Sequence, residues 1–205
     1  MSTDGWRQFG LYGADDTPDN VHGKNALGRA LEDALERRII EGGIKSPATT
    51  RRGLAARMRY LTNSPVGYAA MTAAGITAAR KTIGRWKKGT QRPNPANLEK
   101  LDTAYWALRA HKVLNNLGAF KQHLYNHGAG TVVEIHPVNQ APVLPSRRRD
   151  LQMRTLTVRY VWDSAVDAMK EGDVDALKDI WDDIIAEMDS DWGAYTYVSH
   201  IGLGA

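Results

Sequence analysis

Six cations, Arg80, Lys81, Arg85, Lys87, Lys88 and Arg92, crowd one short stretch of the chain, and no acidic residue interrupts them. Guanidinium and ammonium groups donate hydrogen bonds to guanine O6 and N7 in the major groove and to phosphate oxygens along the backbone, so this density of such side chains suits a nucleic acid. Ile83 and Trp86 lie at helical spacing, and the helix they anchor runs from about Ala79 to Lys88, where Gly89 can end it through a positive φ. Arg80, Lys81, Arg85 and Lys88 then face outward. The N-terminal half of such a helix approaches base edges, which makes Arg80, Lys81 and Arg85 the candidates for base contact. Lys87, Thr90, Arg92 and Arg57 are better placed to bond phosphates, which fix register without reading sequence.

The neighbouring sequence supplies elements that could hold this helix. Thr50 can cap a helix in which Leu54, Met58 and Leu61 face inward while Arg51, Arg52, Arg57 and Arg59 face outward. Pro65 starts the next, where Ala70 and Ala73 are small enough to let another helix cross closely. The turn that follows has two registers. Gly75 looks like its glycine, yet the apolar spacing of Ala73, Ile76, Ile83 and Trp86 puts the turn at Thr77 to Ala79 and leaves Gly75 inside the helix, and apolar spacing favours this second register. After Gln91-Arg92-Pro93, Asn94 caps and Pro95 opens a helix with Leu98, Leu101, Tyr105 and Leu108 inward. Residues 46–118 therefore read as an all-α helix-turn-helix DNA-binding domain.

Charge supports that placement. Residues 51–112 hold thirteen Lys and Arg against two Asp and Glu, whereas residues 150–205 hold four against twelve, although the net charge of all 205 residues is only +4. A field of this polarity speeds encounter with phosphate on one side and excludes the C-terminal region as a second DNA clamp.

Around this domain the pattern is more varied. Residues 1–24 are polar, with Trp6, Phe9 and Tyr12 spaced by three, and read as a flexible N-terminus. In residues 25–45, Leu27, Leu31, Leu35 and Ile39 form the stripe of an amphipathic helix that serves either as core or as a homodimer seam. Residues 119–130 connect to a small C-terminal α+β domain over 131–205. There TVVEIH and RTLTVRYVW alternate as strands, the second with Leu156, Val158 and Tyr160 inward. Asp173 caps a helix with Val174, Leu177, Trp181, Ile184 and Met188 on its apolar side and an acidic opposite side, and a last strand starts at Ala194. Arg147-Arg148-Arg149 forms a basic triplet that either touches phosphate or is solvated. The fold class is α+β: an N-terminal all-α helix-turn-helix domain followed by a small α+β domain.

Several chemistries find no foothold. There is no cysteine, hence no disulfide framework or thiolate zinc site, and a cytoplasmic, nucleoid-associated location is expected. The N-terminus lacks signal-peptide character, and no run reaches the roughly 20 apolar residues of a membrane span. The six His residues show no paired metal-binding spacing, and no GxxxxGK[ST] loop is present. Asp175, Asp179, Asp182, Asp183 and Glu187 read as a solvated helix face rather than a metal cage. No cofactor is expected.

MRYL at Met58 to Leu61, the core Thr82-Ile83-Gly84-Arg85-Trp86, the break Arg92-Pro93-Asn94-Pro95, and LTV at Leu156 to Val158 with its following helix and strand are together similar to the telomere terminal proteins of actinobacterial linear chromosomes and plasmids. The resemblance spans roughly residues 51–201. It implies a protein primer more than a stand-alone enzyme. A side-chain hydroxyl would take the first nucleotide of end-patching DNA synthesis, with divalent metal supplied only through a partner DNA polymerase. Partners implied are telomeric double-stranded DNA and a polymerase or telomere-associated protein. The family's linked residue is a Thr shortly before the LTV strand. Here the loop reads APVLPSRRRDLQMRT, with arginine about where that Thr would fall, so Ser146 is the first candidate and Thr155, expected to be fixed in a strand, the second. The alternative is a Cro-like transcriptional regulator whose C-terminal domain dimerises or binds a partner.

Overall fold

In the computed structural model, residues 7, 9, 16, 17, 20–136, 145–147, 153–188 and 192–204 are described. The protein is α+β, mainly helical with small antiparallel sheets. It divides into two compact units, one built from residues 38–116 and the other from residues 6–37 together with 117–205.

The 38–116 unit is helical. Its elements are α2 (Arg51–Leu61), α3 (Pro65–Ala73), α4 (Arg80–Lys88) and α5 (Pro95–Leu114), preceded by the end of α1 (Gly23–Glu41). The starts of α2, α3 and α5 have a local cause. The Thr50 hydroxyl accepts from the Gly53 amide, Ser64 from Gly67 and Asn94 from Asn97, while Pro65 and Pro95 occupy first-turn positions whose missing N–H forgoes no helical bond. The core gathers Met58, Leu61, Met71, Ile76, Ile83, Trp86, Leu101, Tyr105 and Leu108. Tyr105 also accepts a 2.7 Å hydrogen bond at its hydroxyl from the Ile44 amide, which ties the incoming chain to α5.

The turn between α3 and α4 differs from the register that apolar spacing favours. Gly75 lies outside α3 at φ +81°; the Gly75 amide donates to Thr72 O and the Ile76 amide to Met71 O, a Schellman closure. Met71 and Ile76, both buried, make the apolar contact that accompanies such a closure. Ala73, expected in the core, is exposed, and Ala70 is only partly buried. The close approach falls instead at Gly67, where an added Cβ would sit 1.9 Å from the Leu61 carbonyl oxygen.

The other unit holds β1 (Val21–His22), most of α1, α6 (Gly118–Tyr125), β2 (Thr131–Ile135), β3 (Arg154–Val158), α7 (Trp162–Glu171), α8 (Val174–Ala186), β4 (Tyr197–Val198) and β5 (Ile201–Gly204). The sheet runs β3-β2-β5, all antiparallel, with Val133 opposite both Leu156 and Leu203. Alternation puts Val133, Ile135, Val158, Ile201 and Leu203 on its buried face. Trp162 is fully buried and donates from its indole to Val158 O at 3.1 Å. Tyr160, expected inward, is 43% exposed, because β3 ends at Val158 before the alternation reaches it. The last strand starts at Ile201; Ala194 lies in a 3-10 turn, and the intervening β4 pairs with β1.

The N-terminal stretch is not uniformly a flexible leader. Phe9 is buried against Gly28, and the Asp16 carboxylate accepts from the His22 amide, His22 Nδ1 and Asn25. The α1 stripe is used inside the chain: Leu27, Leu31 and Leu35 are fully buried, which leaves no apolar seam there for a second copy. Among the described residues no helix is long and apolar enough to cross a membrane.

Candidate nucleic-acid interface

With Ile83 and Trp86 buried, the 100° step of a helix puts Lys81, Gly84, Arg85 and Lys88 on the side of α4 opposite the core, with Arg80 and Lys87 toward one flank. Arg80, Lys81, Arg85, Lys87 and Lys88 are all exposed. Both ends of α4 suit an outward-facing helix. Ala79 offers no side-chain acceptor to the first-turn amides, of which Thr82 donates to Ala79 O, and Gly89 at φ 73° closes the other end, the Thr90 amide donating to Arg85 O.

The candidate base-reading residues do not stand alike. The Arg80 guanidinium lies over the Tyr68 ring at 4.5 Å, so α3 restrains it at the start of α4. Lys81 and Arg85 project without an intramolecular partner among the described residues. Between them Gly84 leaves a bare patch of helix, and an added Cβ would meet nothing within 4 Å. Glycine costs about 1 kcal/mol in a helix relative to alanine, and packing inside the chain gives no reason for it here.

Among the phosphate candidates, Lys87, Lys88 and Thr90 are exposed at the C-terminal end of α4. Arg92 is exposed as well, although one guanidinium nitrogen donates to Thr49 O at 2.5 Å. Arg57 has to be removed from the set. It is 4% exposed, with Nε donating to Asp102 at 2.5 Å and Nη1 to Ser46 O at 2.6 Å, and its guanidinium packs over Tyr105. The reason is periodic: Arg57 shares the inward face of α2 with Met58 and Leu61, and a carboxylate on α5 makes its burial tolerable. Lys100 is committed in a similar way, donating to Gly75 O at 3.0 Å and so holding the turn before α4.

Arg51 and Arg52 enter the basic surface from the first turn of α2, both exposed. Sequence reading placed them outward without linking them to α4. Arg51, Thr50, Leu54 and Ala55 line a groove of about 340 Å³ together with Trp86, Lys87, Lys88, Gly89, Gln91 and Arg92. No periodicity signals such a meeting, since it depends on how α2 and α4 cross.

The hydroxyl candidates belong to the other unit. Ser146 is exposed in a 3-10 turn, Pro145–Arg147, while Arg148, Arg149 and the Arg147 side chain lie outside the described residues. Thr155 sits in the outer strand β3 opposite Glu134, its side chain exposed and its backbone held by the ladder. Two lysines in this unit are paired with carboxylates: Lys121 lies 2.7 Å from Asp167, whose hydrogen bond raises its pKa, and Lys178 lies 2.6 Å from Asp182 with the same consequence. The acidic face of α8 forms no metal cage, and among the described residues no group of three or more acids or histidines could hold an ion.

The 38–116 unit thus presents a helix with exposed cations on one face, a bare glycine among them, and a second cationic groove beside its C-terminal end. Comparisons with protein-family models, with curated proteins and with solved structures find no match to this chain.

Proposed function

We propose that this protein is a double-stranded DNA reader in which α3 and α4 act as a helix-turn-helix and α4 is the reading helix. The observation that carries the reading is the outward face of α4, where Lys81, Arg85 and Lys88 surround Gly84 with no partner among the described residues. Arg85 and Lys81 read base edges; Arg80, steadied by Tyr68, sits where base and backbone contacts meet; Lys87, Lys88, Thr90 and Arg92 bond phosphates. Binding to randomised duplexes tests this. Arg85→Ala should lose about 1–3 kcal/mol of discrimination at one base position, and equal weakening on every sequence would reassign Arg85 to the backbone.

The more specific reading follows the resemblance to telomere terminal proteins. The protein would sit at the end of a linear replicon and offer the Ser146 hydroxyl to a partner polymerase. The hydroxyl oxygen attacks the α-phosphorus of a deoxynucleoside triphosphate, pyrophosphate leaves, the proton passes to solvent, and a phosphoester joins protein to the first nucleotide. Both hydroxyls are exposed, and Ser146 stays first because the Thr155 backbone is held in the β3 ladder. With telomeric template, polymerase and labelled nucleotide, label should survive denaturation on the protein and disappear in Ser146→Ala. Label retained in that variant but lost in Thr155→Val would move the site to the strand, and absence of label from the unaltered protein would end the priming reading. Exposed Val132 and Met153 favour a second role for the same region, partner contact in a Cro-like regulator.

A further inference from the structure

The groove between the first turn of α2 and the last turn of α4 has features that the reading face of α4 does not explain. Trp86 lines it and is 4% exposed, yet its indole N–H finds no acceptor among the described residues. A buried donor without a partner loses its hydrogen bond to water and gains none in return, and native proteins seldom leave one unanswered. The α2 end adds two more open donors. The Thr50 hydroxyl satisfies only the Gly53 amide, and the amides of Arg51 and Arg52 have no acceptor among the described residues. No acid lies in that first turn. Arg51, Lys87, Lys88 and Arg92 surround the opening, with Gln91 as a neutral donor.

A helix start with free amides, several cations and an indole N–H ask for one kind of occupant, an anion with several acceptor oxygens in tetrahedral array. A carboxylate offers two oxygens in one plane; a phosphodiester sets two charged oxygens and two ester oxygens in a tetrahedral array, and free phosphate offers four oxygens. We propose that this groove is a phosphate-binding seat, separate from the base-reading face of α4, and that its occupant is a phosphodiester of the DNA backbone. The inference rests on the DNA-binding reading for that source. The same donors would hold free inorganic phosphate if the source were different.

The seat also gives the C-terminal end of α4 a fixed purpose. The duplex would be gripped at one backbone position beside Gly89, which sets how deeply Lys81 and Arg85 reach toward the bases. Arg51, on a different helix, makes the seat a joint between α2 and α4.

The test uses the whole protein labelled with ¹⁵N, and follows the Trp86 indole N–H, assigned by its loss in Trp86→Phe. Inorganic phosphate, at ionic strength held constant with chloride, should move that resonance and the Arg51 and Arg52 amides; Arg51→Gln should weaken the response at least several-fold. On a DNA duplex, Arg51→Gln should reduce the slope of log affinity against log salt by about 1, with weakening uniform over sequences. If DNA binds with base preference but the indole stays still and the slope is unchanged, the seat is wrong and the DNA reading stands. If phosphate moves the indole but no duplex binds, the seat stands as a free-phosphate site and the DNA reading falls. Arg51 is an exposed first-turn residue, so the glutamine variant keeps the fold, which an unchanged amide spectrum away from the groove would verify.

Discussion

In the 38–116 unit one ion pair, Arg57 with Asp102, forms among the described residues. The other unit pairs Arg7 with Asp33 and Glu36, Lys121 with Asp163 and Asp167, and Lys178 with Asp182. Both units contain enough cations to do either thing. In the second, charge connects segments: Arg7 reaches α1 and Lys121 reaches α7 from α6. In the first, the inward-facing Arg57, Lys100 and Arg109 are bound to the chain's own groups, and Arg51, Arg52, Lys81, Arg85, Lys87 and Lys88 are left without a partner among the described residues. What folding leaves unneutralised is what a polyanion would meet. The difference lies in the supply of carboxylates rather than in the basic residues themselves.

The largest effect tests whether the acidic unit is organised by its apolar core more than by its ion pairs. Trp162→Ala, at a fully buried site, should destabilise that unit by about 3–5 kcal/mol, measured as loss of hydrogen-exchange protection in α7 and α8. A loss under about 1 kcal/mol would mean that the core is not centred there. Arg57→Ala comes next and separates the inward from the outward arginines. It should lower stability by about 2 kcal/mol, less than for a fully buried pair because Asp102 is 39% exposed, and leave the salt slope of DNA binding unchanged. A slope lower by about 1 would return Arg57 to the phosphate group and blur the division between the two kinds of cation.

The smallest effect concerns His200, whose pKa is lowered by burial and by His136 at 5.5 Å between ring centroids. Asp33 works in the opposite direction, and Arg29 and Arg37 reinforce the lowering. A histidine with a depressed folded pKa takes up protons more readily when unfolded. The acidic unit should therefore lose stability as pH falls through the ordinary histidine range near about 6.5 and keep it above. Unfolding of that unit followed from pH 7.5 to 5.5 should show this decline, and His200→Gln should flatten it; an equal decline in the variant would assign the effect to other groups.

Much of the helical unit could be read from periodicity and caps. Thr50, Asn94, Pro65 and Pro95 start helices as their chemistry requires, and α4 begins and ends within a residue of its expected bounds. Apolar spacing misplaces the turn because Ile76, Ile83 and Trp86 do belong to the core, and Ala73 completes their series in sequence but not in the fold. Alanine fits either side of a helix, so it could not arbitrate against the positive φ available to Gly75. Arg57 escapes sequence reading for a related reason: charge argues for the surface, and its carboxylate partner, half-buried on α5, lies 45 positions away in sequence. Long-range pairing also hid the N-terminal stretch. Val21 and His22 form a strand only because Tyr197 and Val198 lie beside them, and Asp16 acquires its role from the fold around it. The anion groove belongs to the same class, since α2 and α4 contribute halves that carry no mark of each other.

Gly84 gives the helix surface a vacancy that the interior of the protein does not need. Its consequence is a conflict between two selections acting on one position. Selection for heat resistance alone should replace Gly84 with alanine early, gaining about 0.5–1 kcal/mol, since the new methyl group meets nothing. Selection for close contact should refuse that replacement, because one methyl group would hold the helix away from whatever it approaches. A pool of variants sorted for folding, then separately for binding, would divide at this residue, and the sign of that division would tell which surface of α4 is in use.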